Sequence, residues 1–209
     1  INLQYSNSSN IPRYDRLTET SNGIAKHAEW YYGPQLRTLA AYSFDKSKLK
    51  GFFSDVTANL SYQHLEESRH NRGFKKPTIA HRTEKINVIG YNLAALHKTN
   101  QHELTIGTDG QFNFLKSTAF SSNINSGDEA KIDTRYPDGD NNMNLFGLFI
   151  QHTWKLNDGK LVINDGVRFN YTTLHSTLED TAIQFKLPVT DLQQRNKAIT
   201  GNIGIAYMP

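Results

Sequence analysis

Three histidines within one short stretch carry the clearest ligand-binding chemistry in the sequence. His64, His70 and His81 all fall within "HLEESRHNRGFKKPTIAHR". Imidazole is a ligand of haem iron, so these side chains on one external loop could ligate the iron of a haem. Their spacings of six and eleven residues match no rigid ligand pattern, and a solvated polar loop explains them more simply.

Aromatic residues form a second candidate site in the first quarter of the chain. The stretch "EWYYGP" places three aromatic rings directly before a Gly-Pro turn. Such rings can stack on a planar ligand, but they can also pack a loop or form an interfacial girdle. Tyr14 lies between Arg13 and Arg16 in "PRYDR", where an ion-pair cluster that tethers the loop is the simpler interpretation. The candidate ligand-binding residues on external loops are therefore Tyr14, Trp30, Tyr31, Tyr32, His64, His70 and His81.

Several other kinds of chemistry are not indicated. The stretch "YPDGDNNMN" lacks the ligand register and terminal Glu of an EF-hand, and a turn is the better interpretation. No Ser-His-Asp or paired-carboxylate arrangement is recognisable, so we expect neither an enzyme nor a permanently bound cofactor or metal. The net charge of +3 comes from 23 basic and 20 acidic residues that are well mixed, which argues against a nucleic-acid partner. Cysteine is absent, which fits a bacterial envelope protein and a cytosolic protein equally well.

The elements that must position these residues are strands with a period of two. In "VTANLSYQH", Val56, Ala58, Leu60 and Tyr62 lie on one face and polar residues on the other. Helical periodicity is not sustained anywhere, and no apolar run reaches the roughly 18 residues of a spanning helix. The alternation predicts about eight strands, at 1–7, 35–44, 52–64, 83–96, 101–116, 144–155, 160–174 and 197–207.

The predicted connections alternate between short and long. Short, turn-like connections lie at 45–51, 98–101 and 157–159, and long segments lie at about 8–34, 65–82, 117–143 and 175–196. Structureless loops longer than roughly 12–15 residues are uncommon in compact soluble domains. Short periplasmic turns and long external loops are, however, the plan of outer-membrane barrels. The sequence therefore favours an all-β antiparallel up-and-down meander in a transmembrane barrel over a soluble carbohydrate-binding sandwich, and eight strands could also close by themselves.

The sandwich and the barrel differ in what the apolar face contacts. A sandwich would bury Leu60, Ile106, Ile150, Val167 and Ile203 against a second sheet, whereas a barrel would turn them towards lipid, with Asn59, Gln111 and Asn170 inward. Asp165 departs from the pattern because it falls on the apolar parity. Either it lies close to the periplasmic edge, where a carboxylate costs little, or a bulge at 164–166 resets the parity.

Five ordered segments resemble a known family. They are "NIPRYDRLTE" (10–19), "AEWYYGPQLR" (28–37), "YQHLEESRHNRGF" (62–74), "TRYPDGD" (134–140) and "NKAITGNIGIAYMP" (196–209). Together they resemble TonB-dependent outer-membrane receptors of the type common in Bacteroidetes-like bacteria. Because the chain opens and closes within the strand pattern, we expect residues 1–209 to be a mid-barrel segment, with the plug domain and the TonB box outside it.

The resemblance implies a fold and a function. Such receptors have a barrel of about 22 strands around an N-terminal plug. They lie in the bacterial outer membrane, in contact with lipid and lipopolysaccharide, and import a scarce small molecule with energy delivered by the TonB complex through the N-terminal part. The implied cargo is a ferric siderophore, haem or cobalamin. Neither the FRAP-type nor the NPNL box of haem receptors is present, so the resemblance leaves the cargo open.

Overall fold

The computed structural model describes residues 1–179 and 188–208 as an almost purely β protein. These residues include two short helical elements, α1 (Tyr14–Leu17) and a 3-10 turn at Asn157–Gly159. No helix in the described part of the chain is long and apolar enough to cross a membrane. The strands are β1 (Asn2–Asn7), β2 (Ile11–Pro12), β3 (Thr20–Ser21), β4 (Ile24–Ala25), β5 (His27–Tyr32), β6 (Leu36–Lys46), β7 (Asp55–Gly73), β8 (Thr78–Lys98), β9 (His102–Asn123), β10 (Glu129–Lys131), β11 (Asn141–Leu156), β12 (Leu161–Thr177) and β13 (Asp191–Tyr207).

Eight strands form one continuous antiparallel meander. Their order is β1-β6-β7-β8-β9-β11-β12-β13, so each strand of the meander pairs with the one before it. The short strands β5 and β10 add alongside β7 and β9. The eight-stranded prediction is confirmed, and within the described residues β1 and β13 do not pair. The idea that these strands close by themselves is therefore wrong.

The strands run much further than predicted at the long-connection end. The expected external loop at 65–82 is wrong, because β7 continues to Gly73, β8 begins at Thr78, and the chain reverses over 74–77. Likewise β9 continues to Asn123, within the expected loop at 117–143, and the segment 8–34 contains β2 to β5 and α1. The strict alternation of short and long connections thus fails. These extensions carry polar residues on both faces, so their sequence lacks the apolar alternation that marks a half-buried strand.

The described part of the segment 175–196 behaves in the same way. β12 continues to Thr177 and β13 already begins at Asp191. Residues 180–187 of this predicted connection lie outside the described residues. The short connections behave as predicted: at the β11–β12 hairpin all three residues from Asn157 to Gly159 have positive φ, a conformation for which Asn, Asp and Gly are the favoured residues.

The pairing register keeps one face of the sheet apolar. Residues directly opposite each other in a sheet point to the same side, and the pairs Val56–Ala95, Ile106–Ile150 and Ile150–Val167 all join apolar side chains. We call the side that carries Leu60, Ile106, Ile150, Val167 and Ile203 the apolar face, and the side that carries Asn59, Gln111 and Asn170 the polar face. No second sheet covers the apolar face in the described residues: Leu60 is 57% exposed, Val167 53% and Ile203 75%. This exposure contradicts the sandwich and fits the barrel.

The apolar face ends at polar contacts near both margins. At the long-connection end the Tyr62 hydroxyl donates to Asn87 over 2.8 Å, and beyond it Lys85 lies 3.0 Å from Glu66. Near the short turns, Asp165 accepts a hydrogen bond from His152 over 3.1 Å. The register of β12 is unbroken on both sides, so the bulge is excluded and Asp165 lies four residues from the strand end at Leu161. Of the two explanations of Asp165, only a position towards the short-turn margin is left, and its closeness to the membrane edge stays a prediction.

Candidate functional site

Two arginines and two aromatic residues meet on the polar face at the long-connection end. β5 pairs with the upper half of β7, which sets Tyr32 opposite Arg69. Arg13 follows β2, which pairs with β5, and its N–H donates to the carbonyl of Trp30 over 2.9 Å. Because Arg69 shares its parity with Asn59 on the unbroken strand β7, this group, the Arg–aromatic cluster, faces the same side as the polar residues below it.

The geometry of the Arg–aromatic cluster leaves a cation available for a ligand. The Arg13 guanidinium lies 5.0 Å from the Trp30 ring and 5.5 Å from the Tyr32 ring, and the Arg69 guanidinium lies 5.3 Å from the Tyr32 ring. Arg13 is largely committed, because it donates to Asp15 over 2.7 Å and to the Tyr32 hydroxyl over 2.8 Å. Arg69 is different: its Nε is buried and donates to no acceptor in the described residues, and the guanidinium forms no ion pair there. An incompletely satisfied guanidinium beside aromatic rings is suited to a carboxylate or another planar anion.

A buried carboxyl group lies behind this cluster. Glu84 is only 6% exposed and Ser117 only 1%. Burial raises the pKa of Glu84, against the opposing effect of the nearby charges of Arg135 and Arg69. The segment 132–139 reaches this part of the polar face, where Arg82 on β8 donates to the carbonyl of Asp133 over 3.2 Å.

An ion pair crosses the polar face halfway down the strands. Arg168 on β12 donates to both carboxylate oxygens of Asp109 on β9, each over 2.7 Å. The intervening strand β11 permits this crossing because it carries Gly147, where an added Cβ would lie 2.1 Å from the guanidinium. Arg168 also donates to Asn170 over 2.7 Å. The arrangement links β9 to β12 across β11 and places a fixed charge pair on the polar face.

Three of the predicted site residues lie on the opposite face. Tyr31, His70, His81 and Phe120 form a row across β5, β7, β8 and β9 on the side continuous with the apolar face. Tyr31 stacks on His70 with centroids 4.7 Å apart, and His81 stacks on Phe120 at the same separation. Between them, the Nδ1 atoms of the two histidines are 2.7 Å apart. We call this row the histidine–aromatic row.

The predicted residues therefore do not converge on one site. Trp30 and Tyr32 share the Arg–aromatic cluster, whereas His64 lies at the margin of the apolar face beside Asn87. Tyr14 is the first residue of α1 and is 72% exposed. Placing the histidines and the "EWYY" aromatics in loops is wrong, because they lie on β5, β7 and β8. The ion pairs that tether the "PRYDR" loop are confirmed: Arg13 pairs with Asp15, and Arg16 with Glu19.

The sequence reasoning missed Arg69 as a candidate ligand-binding residue. Arg69 lies an even number of residues from Asn59, so both point to the polar face of β7. That pattern could have been used only if β7 was known to continue past Glu66. The contact between Arg168 and Asp109 left no local signal at all, because 59 residues separate the two partners. In the described part of the chain, no group of three or more His, Asp or Glu side chains is arranged to hold a metal ion.

Comparisons with known proteins show which family has this architecture. The family model described as "TonB dependent receptor-like, beta-barrel" matches residues 2–209. The chain belongs to this family of TonB-dependent receptor β-barrels. Members of the family are outer-membrane transporters rather than enzymes, and the resemblance drawn from the five sequence segments is confirmed.

Solved structures support the fold assignment. The chain is similar to the copper transporter OprC, with a TM-score of 0.69 at 15% identity over 85% of this chain. It is also similar to the ferric citrate transporter FecA in its unliganded form, with a TM-score of 0.61 at 14% identity over 99% of this chain. The matches span 28% and 30% of those two chains. No curated protein matches the sequence.

Proposed function

We propose that this chain forms part of the barrel wall of an outer-membrane receptor that imports an anionic metal chelate with energy supplied through TonB. The plug and the TonB box would be supplied by other parts of that receptor, and the apolar face would contact lipid and lipopolysaccharide. Family membership supports the transport function. The orientation of the two faces supports the placement, since the apolar side chains are exposed and the polar face carries the ion pair of Arg168 and Asp109.

The Arg–aromatic cluster is the observation that carries the choice of cargo. Ferric siderophores and haem can present carboxylates or other anionic oxygens, which a guanidinium binds through paired, charge-assisted hydrogen bonds. Arg69 has hydrogen-bonding capacity left for such a group, and the Tyr32 and Trp30 rings beside it offer flat surfaces for stacking. Among the cargoes implied by the resemblance, the cluster favours an anionic iron chelate over cobalamin.

An uptake experiment tests the proposal. Cells that depend on the complete receptor would be supplied with ferric citrate, haem or cyanocobalamin as three separate probes, and uptake and surface binding would be measured for each. In the receptor that binds an anionic probe, Arg69→Gln should weaken binding about 10- to 100-fold, which is the usual value of a charge-assisted hydrogen bond lost from a partly buried site.

Lys116→Gln is the matched control. Lys116 is an exposed cation on β9, and it lies on the opposite face of the sheet, paired with Lys85. Its removal should leave binding unchanged, because the polar face keeps its charge. Equal loss in both variants would mean that general surface charge attracts the probe. Binding of cyanocobalamin alone, insensitive to Arg69, would refute the anionic cargo.

A further inference from the structure

The histidine–aromatic row contains two imidazoles whose nitrogens face each other. The Nδ1 atoms of His70 and His81 are 2.7 Å apart, and the ring planes cross at 68°. The row lies above the Glu66–Lys85 pair, on the hairpin of β7 and β8, and on the face opposite to the Arg–aromatic cluster. It takes no part in the proposed recognition of an anionic chelate.

The far side of each ring is already held. His70 Nε2 lies 3.0 Å from the Ser68 hydroxyl, and His81 Nε2 lies 2.9 Å from the Ser122 hydroxyl. When both Nε2–H groups donate to these hydroxyls, both Nδ1 lone pairs point into the gap between the rings, which a shared proton or a metal ion would stabilise. A metal-bound histidine usually donates its other N–H to an oxygen in this way.

The flanking rings fix the orientation of the imidazoles. Tyr31 stacks on His70 at 20° between the ring planes, and Phe120 stacks on His81 at 22°. Two metal–nitrogen bonds of about 2.0–2.1 Å would need roughly 3.3 Å between the nitrogens at the tetrahedral angle typical of Zn²⁺, and roughly 2.9 Å at the right angle typical of Cu²⁺. The rings would therefore have to separate by about 0.2 Å for Cu²⁺ and about 0.6 Å for Zn²⁺.

The local charge also suits a cation. Burial lowers the pKa of both imidazoles, and for His70 the neighbouring His81 adds to that effect. Glu129 on β10 contributes a nearby negative charge, which acts on His81 in the opposite direction to burial.

We propose that His70 and His81 form a two-histidine binding site for a divalent first-row transition metal, with Cu²⁺ bound more tightly than Zn²⁺. Imidazole ligands suit both ions, and Cu²⁺ stands above Zn²⁺ in the general order of affinity. The protein supplies two ligands, so water or an incoming small molecule fills the other positions. Metal bound here would link the two strands of the β7–β8 hairpin above the apolar face.

Copper titration of the complete receptor in detergent tests this site. Electron paramagnetic resonance of the bound Cu²⁺ should show coupling to two imidazole nitrogens at one site per chain. His70→Gln and His81→Gln should each weaken that binding at least 10-fold, and Ser68→Ala together with Ser122→Ala should weaken it about 10- to 100-fold through loss of the oriented rings. His64→Gln is the control, since His64 lies on the same strand and face but bonds to Asn87.

The outcomes separate clearly. Loss of the two-nitrogen signal in His70→Gln and His81→Gln, but not in His64→Gln, supports the site. No bound Cu²⁺, a spectrum without two nitrogens, or equal effects of all three variants would overturn it. A heat-modifiable gel band confirms that each variant is folded. Chelate uptake, measured in the same variants, reports on the proposed function separately, because that function depends on the opposite face.

Discussion

The proposed placement of the apolar face against lipid predicts unequal costs for the same charge on two neighbouring residues. Ile150 and Gln151 are adjacent on β11 and point to opposite faces, Ile150 between Ile106 and Val167 and Gln151 between Thr105 and Gly166. Ile150→Arg and Gln151→Arg therefore place an identical side chain at the same depth, one on the apolar face and one on the polar face.

The size of the difference follows from depth. Ile150 lies six residues before β11 ends at Leu156. At about 3.4 Å per residue and a tilt of about 45°, it lies about 14 Å from that end, close to the middle of an apolar band about 25 Å tall. Arginine at the midplane of a barrel costs about 2–4 kcal/mol, whereas an exposed polar-face substitution usually changes stability by less than about 0.5 kcal/mol. The folding equilibrium constants should differ by roughly 30- to 700-fold.

Urea unfolding of the complete receptor in lipid vesicles would measure the difference, with the heat-modifiable band reporting the folded fraction. Ile150→Arg should lower the free energy of unfolding and Gln151→Arg should leave it nearly unchanged. Equal costs at the two positions, or a larger cost at Gln151, would refute the assignment of the faces to lipid and lumen.

Two further variants test the polar face. Burial raises the folded-state pKa of Glu84 above its ordinary 4.5. The protonated carboxyl group therefore contributes its full share to the free energy of unfolding below pH 4.5, and this share is lost as the pH rises through the folded-state pKa. Glu84→Gln should therefore increase the free energy of unfolding at pH 7, and this increase should shrink towards pH 4. Urea titrations of the variant and the unchanged protein at both pH values would measure it. An increase that grows on acidification would contradict the prediction. Gly147→Ala should lower the free energy of unfolding by about 1 kcal/mol, because the added methyl group displaces Arg168 from Asp109. In a double-mutant cycle, this loss should disappear when Arg168 is already replaced by Met. An unchanged loss in the Arg168→Met protein would mean that the alanine strains β11 itself.

Much of the barrel wall was predictable because a half-exposed strand leaves a period-two pattern in the sequence. The faces assigned to Leu60, Ile106 and Val167 follow from that pattern alone. The upper part of β7 was not recognised because "ESRHNR" is polar on both faces, so nothing in its sequence distinguishes a strand from a loop. Trp30 and Tyr31 were treated as one aromatic unit for the same reason, although consecutive strand residues must point to opposite sides.

The long-range contacts were beyond the reach of the sequence. The approach of Arg168 to Asp109 depends on the register of three strands and on a glycine between them. Likewise, His70 and His81 meet because the turn at 74–77 sets the two strands in register, and a turn one residue longer or shorter would change which side chains oppose each other.

The unbroken course of β7 from Asp55 to Gly73 limits which changes of length this strand can accept. Inserting or deleting one residue above Glu66 would exchange the sides taken by Arg69 and His70, so the cation of the Arg–aromatic cluster and one imidazole of the histidine–aromatic row would change places in a single step. Insertions and deletions that preserve both faces should therefore add or remove two residues at a time, or fall in segments outside the paired strands, such as 132–139. Substitution, in contrast, can change the side chains on one face of β7 and leave those on the other face in place.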